Sequence, residues 1–505
     1  LPGPVRETIP IHGIRKKELC IVLAKSELMR QACYIDGEWI AADSGATIVV
    51  ENPATGKALG TVPLCGKAET ARAIAAAERA WPAWKAMTAL ERADIILRWR
   101  DLIMQNQEDL AKLMTLEQGK PLPESRGEIG FGCSFLRWFA EEARRAYGDI
   151  VPAPWKGKRL LVTREPVGVV GIITPWNFPM AMIGRKVGPA FAVGCPVIIK
   201  PASQTPYSAL ALAALAHEAG IPKGVLNVIT GSAREIGAEL TGNPGVRKVS
   251  FTGSTEVGKA LLRQCAETVK KVSMELGGNA PFLVFDDADI DLAVVGGMAS
   301  KYRNTGQTCI CTNRFYVQEK VYDQFVKKLA QAVAALKVGN GMDAGVTQGP
   351  LIDGKAVAKV EEQVQDAVAK GGKLVCGGHR HALGGTFYEP TIIADATPAM
   401  AFAKEETFGP LAPVFRFKTE AEAVAMANDT EFGLAAYVYT KDLGTAFRVS
   451  EALEYGLVGV NESIISTCEA PFGGVKESGV GREGSRHGLD DYTVIKYTCV
   501  AGLGA

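Results

Sequence analysis

Between Arg159 and the segment that begins at Ser254, short apolar runs rich in β-branched residues alternate with helical segments, and few folds can satisfy that alternation. Leu160–Glu165 alternates in polarity, and Val167-Gly-Val-Val-Gly-Ile-Ile-Thr174 reads as a buried strand. Val197–Lys200, Val225–Ile229 and Val246–Phe251 are further strands, with helices expected over Ser208–Ala219, after Thr230 and from Ser254. Strands separated by helices predict an α/β class with a parallel sheet covered by helices. Ligands of such sheets sit past the carboxyl ends of the strands, where loops turn into helices. The loops after Thr174, Lys200, Thr230 and Phe251 are therefore the informative ones, and all carry Gly, Pro, Ser or Asn.

The flanking regions supply more core. Tyr34-Ile-Asp-Gly-Glu-Trp-Ile40 alternates around an Asp36-Gly37 turn. Residues 69–117 read as mostly helical, with Ile95, Ile96, Trp99, Leu102 and Ile103 on one stripe, and Gly119-Lys-Pro121 as the stop. A second helix runs through Phe135 and Phe139 to about Tyr147. Past Gly278 another αβ region begins, and Tyr492–Val500 closes the chain as a long strand.

With 505 residues the chain is too long for one ordinary core. Its apolar runs fall short of the roughly 20 residues a membrane helix requires. A net charge of +1 without a dense basic block gives no attraction to nucleic acid or an anionic membrane. Eleven scattered cysteines suit reduced thiols in a cytoplasmic setting, and five histidines form no metal-ligand spacing, so no metal is expected. Residues 1–30 read as a leader or an expression remnant.

Lys301-Tyr-Arg-Asn-Thr-Gly-Gln-Thr-Cys309-Ile-Cys311 surrounds two thiols with small and polar residues. Gly306 would let the backbone come close to a ligand, and the Cys309 amide could receive developing negative charge. Alone, Cys309 is better read as a small buried hydrophobe. Pro175-Trp-Asn177-Phe-Pro179 closes the first parallel strand, Met274-Glu275-Leu-Gly-Gly278 precedes the cysteine, and Glu405-Glu406-Thr-Phe408-Gly-Pro410 follows it. Asn177 by itself could be a turn former and Glu275 a solvated helix end.

Together, these four motifs in this order resemble the aldehyde dehydrogenase superfamily over roughly residues 33–500. The resemblance implies a Rossmann-type cofactor domain (31–147 and 170–277), an α/β catalytic domain (278–484) and a β-rich oligomerisation segment (148–169 and 485–505). It implies Cys309 as nucleophile, Asn177 with the Cys309 amide as oxyanion hole, and Glu275 as the base that hydrolyses the thioester. Thr174, Pro175, Trp176, Gly231, Gly253, Ser254, Glu406 and Phe408 are implied for the cofactor. Phe251-Thr-Gly253-Ser254-Thr-Glu-Val-Gly258 departs from the usual Gly-x-Gly-x-x-Gly, although Ser254 at a helix start can still face a diphosphate. Lys200 and Ser203 stand where NAD-preferring relatives often carry a carboxylate, which favours NADP+ over NAD+.

Within the superfamily the resemblance is to the succinate-semialdehyde dehydrogenases, which implies Arg185, Arg303 and Ser466 around the distal carboxylate. Glutarate semialdehyde or another ω-carboxylated aldehyde is the alternative substrate, and a silent structural relative the alternative of another class. The resemblance further implies a reversible bridge from Cys309 to Cys311 and a homo-oligomer, dimer or tetramer.

Overall fold

The computed structural model describes residues 26–502, so the expected leader lies almost wholly outside the described residues. Its first sheet has eight strands, ordered Gly479–Val480, Lys271–Glu275, Val246–Thr252, Val169–Ile173, Val197–Lys200, Leu226–Val228, Cys33–Ile35 and Glu38–Ile40. The central five are parallel, and the outer strands pair antiparallel. Both faces are covered, and the central strands are accordingly mostly buried. Val197 and Ile199 point into one core cluster and Ile198 into another, following the two-residue period of a strand. The Asp36-Gly37 hairpin forms as expected, with φ of 53° and 80°.

Strand order reverses at Val169–Ile173: the chain continues to Val197–Lys200 on one side and returns to Val246–Thr252 on the other. That switch point opens a crevice at the carboxyl ends of these strands. The loops leaving it are those of Asn177 and of Gly253-Ser254.

The second sheet has seven strands, ordered Lys373–Cys376, Thr391–Ala396, Leu411–Phe417, Thr312–Gln318, Ala280–Val284, Ala435–Tyr439 and Leu457–Val460. All but the first pairing are parallel. Leu276–Asn279 links the carboxyl end of Lys271–Glu275 to the amino end of Ala280–Val284. The carboxyl ends of the first sheet therefore face the amino ends of the second.

A third sheet of Thr493–Ala501, Lys158–Pro166 and Asp149–Val151 is antiparallel and largely exposed. The alternating stretch Leu160–Glu165 and the buried strand read from Val167 thus belong to different sheets, the second beginning at Val169. Gly168, at φ 124°, makes the break. Strand Gly479–Val480 also returns to the first sheet from within residues 278–484, so that segment is not confined to the second sheet.

The helices Leu122–Glu142 and Ala181–Val193 cross closely: a Cβ on Gly184 would lie 2.6 Å from the Gly132 carbonyl oxygen. This contact carries Arg185 and Lys186 into the interior.

Candidate active site

Cys309 sits just before strand Thr312–Gln318, after a turn whose Asn304, Thr305 and Gly306 all have positive φ. Left-handed conformations cost about 1–3 kcal/mol each for residues other than glycine, so something must hold them. Asn304 is held on three sides. Its N–H donates to Glu124 Oε2 (2.8 Å), its Oδ1 accepts from Gln118 (3.0 Å), and its Nδ2 donates to the Asn177 carbonyl (3.0 Å). Glycine is required at two close approaches. A Cβ on Gly306 would lie 2.2 Å from the Gly409 oxygen, and one on Gly278 would lie 2.4 Å from the Cys309 oxygen. The cysteine loop is thereby clasped between the Glu275 and Glu406 loops.

The Asn177 amide donates one hydrogen to the Gln307 carbonyl (3.0 Å), and its Oδ1 accepts from Phe178 N–H (3.1 Å). A primary amide carries two N–H donors, so one remains for an anionic oxygen. The Asn177 backbone is pinned as well: buried Lys120 donates to its carbonyl (2.6 Å) and pairs with Glu128 (2.5 Å). Glu128 also accepts from the N–H groups of Met180 and Ala181, satisfying donors at the start of Ala181–Val193.

Cys309 lines two cavities at once, one of about 360 Å³ and one of about 320 Å³. Burial pushes its thiol up to about 12, against the opposing pull of Arg185; Glu406 and Glu275 add to the rise, and Arg303 opposes it. The resting thiol is therefore protonated. Glu275 ends strand Lys271–Glu275 as a buried carboxyl with neither oxygen hydrogen-bonded, contrary to a solvated helix end. Burial, reinforced by Glu483, raises its pKa well above the usual range, while Lys186, Arg185 and Arg482 oppose the rise.

The first cavity is walled by Pro175, Trp176, Asn177, Gly253, Ser254, Glu406 and Phe408, with Lys355 and Lys359 reaching in from helix Gly354–Ala369. Trp176 and Phe408 meet edge to face at 5.4 Å, and Phe408 holds a φ of 50°. Ser254 caps helix Thr255–Ala266, and the buried Thr252 hydroxyl beside it has no partner. Burial pushes Glu406 up to about 7, opposed by Lys359, the Gly278 N–H and Lys301.

Thr174, Lys200, Ser203 and Gly231 lie outside this wall. Thr174 N–H donates to the Lys200 carbonyl (3.2 Å), and the buried Lys200 ammonium donates to the Pro201 carbonyl (3.0 Å). Burial alone brings Lys200 down to about 8. Gly231 pairs with Cys65 in an isolated bridge.

The second cavity brings together Arg185, Arg303 and Ser466 with Cys309. Arg185 Nη2 donates to Ser466 Oγ (3.0 Å), and its guanidinium lies 3.9 Å from the centre of the Phe472 ring. Arg303 lies 5.5 Å from the centre of Phe178. Glu124 and Glu128 also line this cavity; burial raises the Glu124 pKa, and Glu128 is paired with Lys120.

Cys309 thus stands at the junction of two cavities, one opening on a helix start and one edged by arginines. The model of the aldehyde dehydrogenase family matches residues 39–498. The chain belongs to the aldehyde dehydrogenase family. It is 63% identical over 481 residues to a glutarate-semialdehyde dehydrogenase of Pseudomonas aeruginosa, covering 95% of this chain and 100% of that one. It is 61% identical over 478 residues to the NADP(+) succinate-semialdehyde dehydrogenase GabD of Escherichia coli, covering 95% and 99%. The crystal structure of succinate-semialdehyde dehydrogenase from Burkholderia pseudomallei matches with a TM-score of 0.94 at 61% identity, over 95% of this chain and 99% of that one.

As an aldehyde dehydrogenase the chain uses a nicotinamide cofactor, and its first cavity fits one. A helix start, an unpartnered buried hydroxyl and two lysines suit an anionic dinucleotide. Several residues that shape this aldehyde dehydrogenase site carried no sequence signal. Lys120, Glu128 and Asn304 act through partners far along the chain. Phe131, Phe178 and Phe472 in the second cavity are indistinguishable by sequence from other core aromatics. Lys355 and Lys359, four apart on one helix face, were the only ones with a readable spacing.

Proposed function

We propose that the enzyme oxidises succinate semialdehyde to succinate with NADP+, NAD+ serving less well. Cys309 gives up its thiol proton to water and adds as a thiolate to the aldehyde carbon, and the resulting oxyanion is received by the Asn177 amide and the Cys309 N–H. A bound nicotinamide dinucleotide supplies the hydride acceptor. The Cys309 thioester left behind is hydrolysed by water that Glu275 deprotonates, which returns the free thiol. The observation that carries the substrate reading is the pairing of Arg185 with Ser466, and Arg303 beside them, in a cavity that also contains Cys309. Two guanidinium groups suit a planar carboxylate.

Glutarate semialdehyde is the second reading, favoured by the Pseudomonas aeruginosa relative. One methylene separates the two substrates, which is worth about 1–3 kcal/mol of discrimination. Lys200 and Ser203, in a segment without a carboxylate, support the NADP+ preference. Cys311 is the expected bridging partner of Cys309; it is buried and its thiol donates to the Lys301 carbonyl (3.2 Å), a bond it would give up on bridging. The exposed three-stranded sheet is the oligomerisation segment of a cytoplasmic homo-oligomer.

Initial rates with succinate semialdehyde, glutarate semialdehyde and hexanal, each with NADP+ and NAD+, test the reading. Preference for a carboxylated aldehyde, lost in Arg185→Ala and Arg303→Ala, is expected. Equal or better rates with hexanal would overturn the carboxylate assignment.

A further inference from the structure

We propose that Arg185 is the residue through which the charged end of the substrate is sensed by the general base, with Glu483 as the link. This rests on the carboxylate reading of the second cavity. The Arg185 guanidinium is shared. Its Nη2 donates to Ser466 in the cavity wall, while its Nε lies 3.6 Å from Glu483 Oε2, and neither Nε nor that oxygen has a hydrogen bond. The other Glu483 oxygen takes the Lys186 ammonium at 2.5 Å, and Lys186 also donates to Ser250 (3.0 Å). Glu275, buried and with both carboxyl oxygens unpartnered, feels the charges of Glu483, Lys186 and Arg185. One rigid cation thus has one edge on the substrate cavity and the other on the carboxylate that opposes Glu275.

The charged groups around Glu275 and Glu483 come from four elements. Arg185 and Lys186 belong to helix Ala181–Val193, Lys248 to strand Val246–Thr252, Glu275 to Lys271–Glu275, and Arg482 and Asp491 to the C-terminal segment. Lys186 and Lys248 are themselves buried, so water screens little of the balance. An anion docked on the Nη edge neutralises part of the charge that Glu483 and Glu275 feel. Glu483 then opposes ionisation of Glu275 with less compensation, and Glu275 keeps its proton to higher pH. A carboxylated acyl group is therefore hydrolysed by a more basic carboxylate than an uncharged one of the same length.

Decay of the acyl-enzyme, followed by rapid quench across pH, tests this with succinate semialdehyde and with butanal. In the wild type the acid-side midpoint should lie about one pH unit higher for the carboxylated acyl group, a tenfold difference on that limb. In Glu483→Gln the gap between the two midpoints should shrink to what the direct effect of Arg185 on Glu275 leaves. Equal midpoints in the wild type, or a gap of undiminished size in Glu483→Gln, overturn the link. Should Glu483→Gln fail to fold, Arg185→Lys replaces it. A single ammonium cannot face Ser466 and Glu483 together, so the gap should close, and a persistent gap would count against the proposal. The premise is read separately through Arg303→Ala. An unchanged KM for succinate semialdehyde refutes the carboxylate cavity; a raised KM with no midpoint gap in the wild type refutes only the coupling.

Discussion

At the residue scale, the proposed chemistry rests on groups held away from their ordinary charge states. Glu275 is a buried carboxyl with its pKa raised, so it becomes a base only as pH climbs past that raised value. Thioester hydrolysis should accordingly accelerate with pH over a range well above ordinary carboxyl titration. Glu275→Gln should stop it and leave a stable acyl-enzyme, detectable by intact mass; normal turnover in that variant would refute the role. Asn177→Ala should lower kcat about 10²–10³-fold with little change in KM, the usual loss when one oxyanion donor is removed. Peroxide should inactivate the enzyme and dithiothreitol restore it, and the same reversible loss in Cys311→Ala would dismiss Cys311 as the partner.

At the scale of elements, the site is positioned by contacts between segments distant in the chain. Lys120 links Glu128, on the helix Leu122–Glu142, to the backbone of Asn177. Both members of this ion pair are buried, so Lys120→Met should cost about 3–5 kcal/mol by stranding Glu128, measured by denaturant unfolding. Any protein that still folds should show a lower kcat, because Asn177 has lost its anchor. A wild-type midpoint and wild-type kcat together would show that the pair does neither job. These contacts could not be read in advance: Lys120 follows a helix-stopping glycine and looks like any surface lysine in sequence. Cys309, Asn177 and Glu275 could be singled out because the chemistry proposed for them demands particular residue types at the ends of particular strands.

At the scale of the whole molecule, two sheets meet end to end and a third stands apart. Ile150, Ile495 and Tyr497 on the third sheet are 77%, 71% and 57% exposed, an apolar surface that water disfavours. Ile495→Arg should therefore shift the protein to a smaller species in light scattering, whereas an unchanged mass would place the subunit contact elsewhere.

By itself, the sequence determined the parallel sheet and the motifs that carry Cys309, Asn177 and Glu275, because hydrophobic period and residue type are local properties. Arg185 and Arg303 could also be named from their offsets to Asn177 and Cys309. Tertiary structure alone decided that Cys309 stands at the junction of two cavities, and that the strands on either side of Gly168 join different sheets. It also decided that Arg185 touches both Ser466 and Glu483. Each of these outcomes depends on which distant segments share a buried space, and there burial and neighbouring charge, rather than residue type, set what a side chain can do.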